Sequence, residues 1–357
     1  MVSYCVSIGK EGLYMALEYM ENKKRHPMEI LWKKCGEEAS VFRLYGQDLE
    51  VNVPDTIEGY PVTVVGAYCF SASNRCPKEG CFLTSVGEEE RRIQAPTMPE
   101  MAGKYLEKVT LPQTIKILEN AAFYNCRNLR CLSVGDQIRS IGSEEFMNCV
   151  HLKKIIIRGK TEERNGLDKI LERIALDVQV LLCPDGETVE SDLFYPEYYE
   201  WLNEVTPAHV FDRTIHGEGF RMRQAFQDHK IHLGKYDQCF PKVLVVEPDA
   251  VICQIAFGRL NYPKGLTEEA EVLYKKAIEE RFDTMIKMIR KERSMEALHF
   301  LCDYFQSDGT WISRWMEECI EDDWSEAGVY LMEKKQSHAS FAEKEFSFDD
   351  FDDLDDF

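Results

Sequence analysis

The hydrophobic residues in the first half of the chain recur with a period of 23 residues. One copy of this pattern begins at Leu106 and ends at Leu129, where the next copy begins and continues to Leu152. The two copies share residue types at three pairs of positions: Phe123 and Phe146, Cys126 and Cys149, Asn125 and Asn148. Because a unit of this length cannot bury its apolar edge alone, the period predicts coils that stack into a solenoid.

Further copies of the pattern lie on both sides of this pair. Residues 51–57 and 65–70 match an earlier copy, which the Gly and Pro of residues 58–62 lengthen by a turn. Residues 152–157 begin another copy, which then stops. The array therefore contains three to four repeats.

Two other segments complete a predicted repeat domain at residues 28–160. Residues 28–50 alternate between hydrophobic and polar positions, which predicts a hairpin that caps the first repeat. Residues 82–105, with Pro96 and Pro99, interrupt the series and are predicted to form an insertion loop.

The copies contain specific motifs. Val53, Pro54 and Ile57 precede Glu-Gly-Tyr-Pro-Val at residues 58–62, and the later copies contain Ala-Phe or Glu-Phe followed by Cys and Leu at three-residue intervals. These motifs resemble the BspA-type leucine-rich repeat. The resemblance implies a parallel stack of short strands with irregular returns, and binding of another macromolecule as the function. It also implies an alternative, the role of a surface adhesin.

The outward positions of the predicted strands form two rows. The first row is Glu50, Lys108, Cys131 and Lys154. The second row is Asn52, Thr110, Ser133 and Ile156. We predict that a protein partner contacts Glu50, Asn52, Lys108, Thr110 and Lys154, since such a face is the usual binding surface of a solenoid. The alternative is a scaffold on which these side chains are only solvated.

The 23-residue period ends after residue 160, and helical spacing of apolar residues follows. Residues 162–178 and 266–289 each place apolar side chains on one face of a helix, and shorter helices are predicted around residues 297–298, 312–315 and 327–331. The predicted fold class is therefore α+β, with an α-helical domain at 161–345 and a helical or irregular segment at 1–27. Residues 324–335 loosely resemble the helix pairs of ankyrin repeats.

The last twelve residues, 346–357, have a composition of their own. Aromatic and leucine side chains are spaced by pairs of aspartates, and the apolar positions are Phe346, Phe348, Phe351, Leu354 and Phe357. Mutual repulsion of the aspartates predicts a disordered tail. We expect this tail to be a second protein-binding element that orders on a basic or apolar groove.

Net charge and cysteine content limit the expected partners and the expected cellular location of the protein. A net charge of -20 disfavours nucleic acid and anionic membranes as partners, because both require a cationic surface. The 13 scattered cysteines and the absence of a signal-peptide pattern near Met1 favour a cytoplasmic protein. The expected partner is a protein, and the oligomeric state is left open.

The sequence also bears on catalysis. No nucleophile elbow, zinc-protease or kinase pattern occurs in the sequence, so we expect a non-catalytic protein without a cofactor. The alternative is a metal-binding protein or enzyme whose site contains His216, His229, His232 and Cys239, because imidazole and thiolate groups are zinc ligands.

Overall fold

The computed structural model of the chain describes residues 27–73, 75, 79–87, 89–205, 210–305 and 310–346, except for the side chains of 203–212, 310 and 337–346. These residues form two compact units, of which the first ends at Glu280 and the second begins at Arg281. The first unit combines strands and helices and the second is helical, so the α+β fold class is confirmed. The segment predicted at 1–27 lies outside the described residues, apart from its last residue.

The elements of the first unit are short, as expected for a solenoid. Its strands are β1 (Met28–Cys35), β2 (Glu38–Tyr45), β3 (Glu50–Asn52), β4 (Thr56–Ile57), β5 (Tyr60–Val65), β6 (Phe82–Val86), β7 (Arg91–Arg92), β8 (Lys108–Thr110), β9 (Ile117–Leu118), β10 (Cys131–Gly135), β11 (Ser140–Ile141), β12 (Lys154–Arg158), β13 (Val178–Leu182), β14 (Ser191–Tyr195), β15 (Tyr199–Val205), β16 (Val210–His216), β17 (Phe226–Gln227) and β18 (Lys230–Ile231). Its helices are α1 (Leu167–Leu171), α2 (Gly219–Met222), α3 (Leu233–Asp237), α4 (Phe240–Val246), α5 (Asp249–Asn261) and α6 (Glu268–Glu280).

One side of the solenoid, here called the strand face, is a sheet with the order β14-β13-β12-β10-β8-β3. Neighbouring strands are parallel from β3 to β13, and β14 returns antiparallel to β13. Lys108 pairs with Cys131, and Cys131 pairs with Lys154. Since these residues are 23 positions apart, the predicted repeat period is confirmed.

The other side of the solenoid is a sheet in which β5, β9 and β11 are parallel. The hairpin predicted at residues 28–50 is present, because β1 and β2 pair antiparallel from Glu29 and Tyr45 to Cys35 and Glu38. Strand β2 is also parallel to β5, so the hairpin continues the sheet beyond the first repeat.

The prediction of an insertion loop at residues 82–105 is partly wrong. Strand β6 in this segment pairs antiparallel with β1 and thus extends the capping sheet. The fully buried Trp32 donates a hydrogen bond from Nε1 to the hydroxyl of Thr84, at 2.8 Å. The segment is ordered by this pairing, which links positions far apart in sequence and has no local signal.

Identical side chains form ladders in the interior of the solenoid. The ring centroids of Phe70 and Phe123 are 4.9 Å apart, and those of Phe123 and Phe146 are 5.6 Å apart. The thiols of Cys126 and Cys149 donate to the carbonyls of Phe70 and Phe123, each at 3.0 Å. These thiols are buried, and the hydrogen bond with the thiol of Cys149, together with burial, raises the pKa of Cys126 well above its usual value. The cysteines therefore serve packing, as small buried side chains do.

One buried position of the repeat holds a different residue type in each coil. Cys69, Ala122 and Glu145 each precede a phenylalanine of the ladder and are all buried. Cys69 is thus equivalent to Ala122 and not to Cys126 or Cys149. Glu145 Oε2 accepts from the backbone N–H of Ala122 at 3.2 Å, whereas Oε1 is buried without a hydrogen-bond partner among the described residues. Burial raises the pKa of Glu145 to about 8.

Replacing Glu145 with glutamine should remove a pH dependence of stability. Because its pKa is higher in the folded state than the ordinary 4.5, the contribution of this group is complete below about pH 4.5 and is lost as the pH rises toward 8. The slope in that window is about 1.4 kcal/mol per pH unit. Urea unfolding at about pH 6 and about pH 7 measures it, with the exposed Glu144→Gln as the matched control. Equal slopes for the wild type and Glu145→Gln would contradict the prediction.

The boundary predicted at residue 161 for a purely helical domain is wrong, because strands β13 to β18 follow it. All five residues of β13 are buried, as are all five of β14. A short, continuously buried run lacks the alternation of a half-exposed strand, and its periodicity does not separate it from a buried helix. Helix α1 does lie within the predicted helix at 162–178, but it covers only Leu167–Leu171.

Helices α3 to α6 complete the first unit around a buried ion pair. The guanidinium of Arg259 on α5 contacts the carboxylate of Asp237 on α3 through Nε–Oδ1 at 2.8 Å and Nη2–Oδ2 at 3.0 Å. The hydroxyl of Tyr274 on α6 donates to Asp237 Oδ1 at 2.8 Å. Arg259 is 0% exposed and Tyr274 is 1% exposed, so water cannot replace these bonds.

The second unit consists of helices, namely α7 (Phe282–Glu292), α8 (Met295–Tyr304), α9 (Thr310–Glu321) and α10 (Ser325–Phe346). Helices α8, α9 and α10 include the three short segments predicted as helical, and Asp323 has a φ of 54° at the break between the last two. The helical pattern at 266–289 divides at Arg281 into α6 and α7. The ankyrin-like resemblance stays a prediction.

Candidate protein-binding surface

The first predicted row lies in register on the strand face. Glu50, Lys108, Cys131 and Lys154 are successive partners across β3, β8, β10 and β12. Glu50 is exposed and the other three are half-buried. Lys108 Nζ lies 3.8 Å from Glu50 Oε2, which is a surface ion pair of small energy. This row is therefore accessible to a partner along the N-terminal ends of the strands.

The second predicted row is mostly buried. Asn52 is exposed, but Thr110, Ser133 and Ile156 are only 5%, 3% and 5% exposed. The prediction that a partner contacts Thr110 is therefore contradicted by its burial. Strand alternation assigns these side chains to one face of the strands, but it carries no information on whether that face is covered. At this end of the strands, Arg158 donates a hydrogen bond to the carbonyl of Leu111, two coils away.

A cleft lies beside the first row, where the chain turns into β8 and β10. We call residues 103–107 and 126–130 the turn edge. The cleft has a volume of about 400 Å³, and its charged and aromatic lining residues are Lys104, Tyr105, Arg127 and the acidic Glu100. The basic and aromatic residues among them precede the first-row positions of their own coils by three or four positions, so the turn edge and the first row are neighbours along the chain.

Backbone geometry determines the shape of this edge. Gly103 has a φ of 63°, and a side chain here would lie 2.7 Å from the Cβ of Ala72. Asn125 and Asn148, one repeat apart, both have a φ of 62°, and Asn148 Nδ2 donates to Asn125 Oδ1 at 2.7 Å. Glycine and asparagine tolerate this left-handed conformation better than other residues.

The turn edge is basic and partly apolar. Tyr105 is 60% exposed, and Leu49, whose carbonyl accepts from the N–H of Glu107, is 50% exposed. Lys104, Arg127 and Arg130 are exposed and have no carboxylate partner among the described residues. Aromatic and arginine side chains supply most of the energy at protein interfaces, so this combination suits a protein partner with an acidic surface.

Sequence reasoning missed the turn edge. The signal was present in the repeat period, because Lys104 and Arg127 are 23 residues apart and Arg130 and Lys153 are as well. The search for outward positions was restricted to strands and did not extend to the turns before them. Hairpin β15–β16 was also missed, although it exposes Tyr199, Trp201 and Leu202 by more than half.

The histidines and the cysteine of the alternative metal site are not brought together. His229 Nδ1 is hydrogen-bonded to Asp168 Oδ2 at 2.6 Å, and His232 Nδ1 accepts from the N–H of Lys235 at the start of α3. The ring of His216 stacks on Tyr199 at 4.7 Å, and Cys239 Sγ donates to the carbonyl of Lys235. No group of three potential ligands that could hold a metal ion occurs among the described residues. The predicted metal cluster is therefore wrong.

The acidic tail lies outside the described residues except at its first position. Phe346 is the last residue of α10, so the helix extends one residue into the segment predicted to be disordered. Phe348, Phe351, Leu354 and Phe357 are not described by the structure. Their role stays a prediction.

The parallel coils and their interior ladders define the part of the first unit from β3 to β13 as a solenoid of stacked coils. Residues 101–166 match the family model described as the BspA type leucine rich repeat region with 6 copies, so these residues form a BspA-type region, as the sequence motifs indicated. Leucine-rich repeats generally mediate protein–protein binding, and this region suggests a protein-interaction or adhesin-like role. No curated protein and no solved structure matches the chain significantly. None of the described helices is long and apolar enough to cross a membrane.

Proposed function

We propose that the protein is a non-catalytic scaffold of the cytoplasm that binds an acidic protein surface through the turn edge and the adjacent first row. The observation that supports this proposal best is the cleft at Lys104, Tyr105 and Arg127. An exposed aromatic ring and cations without carboxylate partners meet there, inside the segment that matches the family model. Because the whole chain has a net charge of -20, this basic surface is a local feature and not a property of the chain as a whole.

Charge and aromatic character have different roles in this proposal. The cations steer an acidic partner toward the edge and reject basic ones. Burial of the Tyr105 ring supplies affinity, because its large apolar surface loses little side-chain entropy on binding. The buried thiols of Cys126 and Cys149 are consistent with a reducing compartment, since neither is paired as a disulfide.

Substitution of Tyr105 tests the surface. We expect Tyr105→Ala to weaken binding of the main partner at least about 30-fold, as for an interface hot spot. The partner is captured from native cells with the full-length chain and identified, and its dissociation constant is then measured with the purified protein. Tyr199→Ala is the matched control, because Tyr199 is 58% exposed and lies outside the turn edge. Loss of binding with Tyr199→Ala but not with Tyr105→Ala would move the interface to hairpin β15–β16.

The tail is proposed as a second, separate binding element. Its aromatic residues would occupy a basic or apolar groove of a partner, and its aspartates would contact the rim of that groove. Full-length protein with Phe351, Leu354 and Phe357 replaced by serine keeps the charge and removes the apolar positions. If this variant captures the same proteins in the same amounts as the wild type, the tail has no such role.

A further inference from the structure

A second cleft, of about 540 Å³, lies on the first unit where the turn after β10 meets α1 and the β17–β18 turn. Three cations line it, namely Arg139, Arg164 and Lys169. The carboxylate of Asp168 and the ring of His229 are also part of its wall. This volume is in the range of small-molecule sites in proteins. The cleft shares no lining residue with the turn edge.

Only one of the two carboxylate oxygens of Asp168 has a hydrogen-bond partner among the described residues. Its Oδ2 contacts His229 Nδ1 at 2.6 Å, whereas its Oδ1 is buried without a hydrogen-bond partner among the described residues. Leaving a buried acceptor unpaired is costly, and more so when it belongs to a charged group. A ligand with a hydroxyl group would satisfy this oxygen by donating to it.

The backbone that holds His229 is strained. Asp228 and His229 form the two-residue turn between β17 and β18, with φ values of 52° and 63°. Such a turn normally contains asparagine and glycine, because both central residues need positive φ. Arg164 Nε donates to the carbonyl of Asp228 at 3.1 Å and so ties the turn to the cleft. Local strain of this kind occurs at sites where a side chain must be kept in place for function.

The cations of the cleft have charge available for a ligand. Arg139 and Lys169 have no carboxylate partner among the described residues. Arg164 uses only its Nε in a hydrogen bond to a described residue, and its two terminal nitrogens make none. Asp136 also borders the cleft, but its Oδ1 accepts from the side chains of Gln113 and Gln137. Three cations from separate segments match a phosphate monoester, which has a charge of about -1.5 to -2 at neutral pH and several acceptor oxygens.

We propose that this cleft binds a small phosphate monoester that also carries hydroxyl groups, such as a sugar phosphate. Arg139, Arg164 and Lys169 receive the phosphate. A sugar hydroxyl donates to Asp168 Oδ1, and His229 keeps the carboxylate in position through Oδ2. The scaffold would then have a ligand site of its own, independent of its protein-binding surface.

Calorimetric titration of the full-length protein with three probes tests the ligand class. Ribose 5-phosphate should bind saturably, inorganic phosphate should bind about tenfold more weakly, and ribose should show no binding at about 1 mM. Absence of saturable binding of ribose 5-phosphate, or equal affinity for inorganic phosphate, would overturn the proposal.

Variants then place the ligand in the cleft. Arg139→Ala should weaken ribose 5-phosphate binding about tenfold or more, whereas Arg91→Ala, a matched exposed arginine outside both the cleft and the turn edge, should bind as the wild type does. Asp168→Asn should lower the ratio of the affinity for ribose 5-phosphate to that for inorganic phosphate, because the sugar contact is lost whereas removal of the negative charge does not weaken phosphate binding. Equal weakening by Arg91→Ala and Arg139→Ala would show nonspecific charge attraction, and an unchanged ratio of the two affinities in Asp168→Asn would exclude its contact with the sugar.

Discussion

Replacing Phe123 with alanine is expected to lower the free energy of unfolding of the repeat region by about 3–5 kcal/mol. Phe123 is 0% exposed and is the middle ring of the interior ladder, in contact with Phe70 on one side and Phe146 on the other. Its removal therefore leaves a cavity and breaks two aromatic contacts, each of which adds about 0.5–1.5 kcal/mol to the effect of burial. Neighbouring coils cannot close the gap, because their spacing is fixed by backbone hydrogen bonds such as that from Phe70 N to Ala122 O, at 2.8 Å.

Hydrogen exchange and urea unfolding of the full-length protein measure this loss. Exchange should accelerate in β8, β10 and β12 together, since coils of a solenoid are stabilised by their neighbours. Phe123→Leu is the control, because it keeps most of the apolar volume and should cost less than the alanine variant. A loss below about 1 kcal/mol in Phe123→Ala would mean that the ladder contributes little to stability.

The parts of the fold that follow from side-chain periodicity could be predicted from the sequence. The 23-residue phase of Phe123 and Phe146 gave the coils, their parallel strands and the equivalence of Lys108 and Lys154. Strands β13 and β14 could not be predicted in the same way, because uniform burial removes the alternation that identifies a strand. Pairing of β6 with β1 depends on contacts between distant segments, and no local pattern indicates it.

Identifying the candidate sites required the three-dimensional structure even more than identifying the fold did. The period placed Lys108 and Lys154 on one row, but only the structure shows that Thr110 in the neighbouring row is buried. His229 was singled out as a metal ligand for its residue type, and its real partner is Asp168, 61 residues away in sequence. Sequence spacing thus identifies chemically useful side chains, whereas the partner of each is determined by the packing of separate segments.

The proposed protein-binding edge and the proposed ligand cleft lie at different turns of the first unit. The turn edge and the first row belong to the side of the coils that leads into the strand face. Arg139 directly precedes β11, which follows β10, and Asp168 lies in α1, which follows β12. Each turn of a coil corresponds to its own set of positions in the 23-residue repeat. A repeat protein can therefore carry different functional side chains at different turns of the same scaffold.

Breaking the buried ion pair between Arg259 and Asp237 is expected to destabilise the helical part of the first unit by about 3–5 kcal/mol. In Asp237→Asn, the guanidinium of Arg259 is left in an interior position without a compensating charge. Tyr274 still has an acceptor in the amide oxygen, so the cost comes mainly from the uncompensated cation. The loss of stability should appear as faster hydrogen exchange in α3, α5 and α6, which these three side chains connect.

A double variant distinguishes this cause from a general packing defect. In Asp237→Asn with Arg259→Met, no buried charge remains, and methionine keeps much of the apolar volume of the arginine stem. We expect this double variant to be more stable than Asp237→Asn alone, because a buried pair roughly compensates its own desolvation whereas a single buried charge does not. The double variant could instead lose as much stability as the single variants Asp237→Asn and Arg259→Met lose together. Arg259 would then stabilise the helices less through Asp237 than through its hydrogen bonds to the carbonyls of Tyr262 and Lys264, at 3.3 and 3.1 Å.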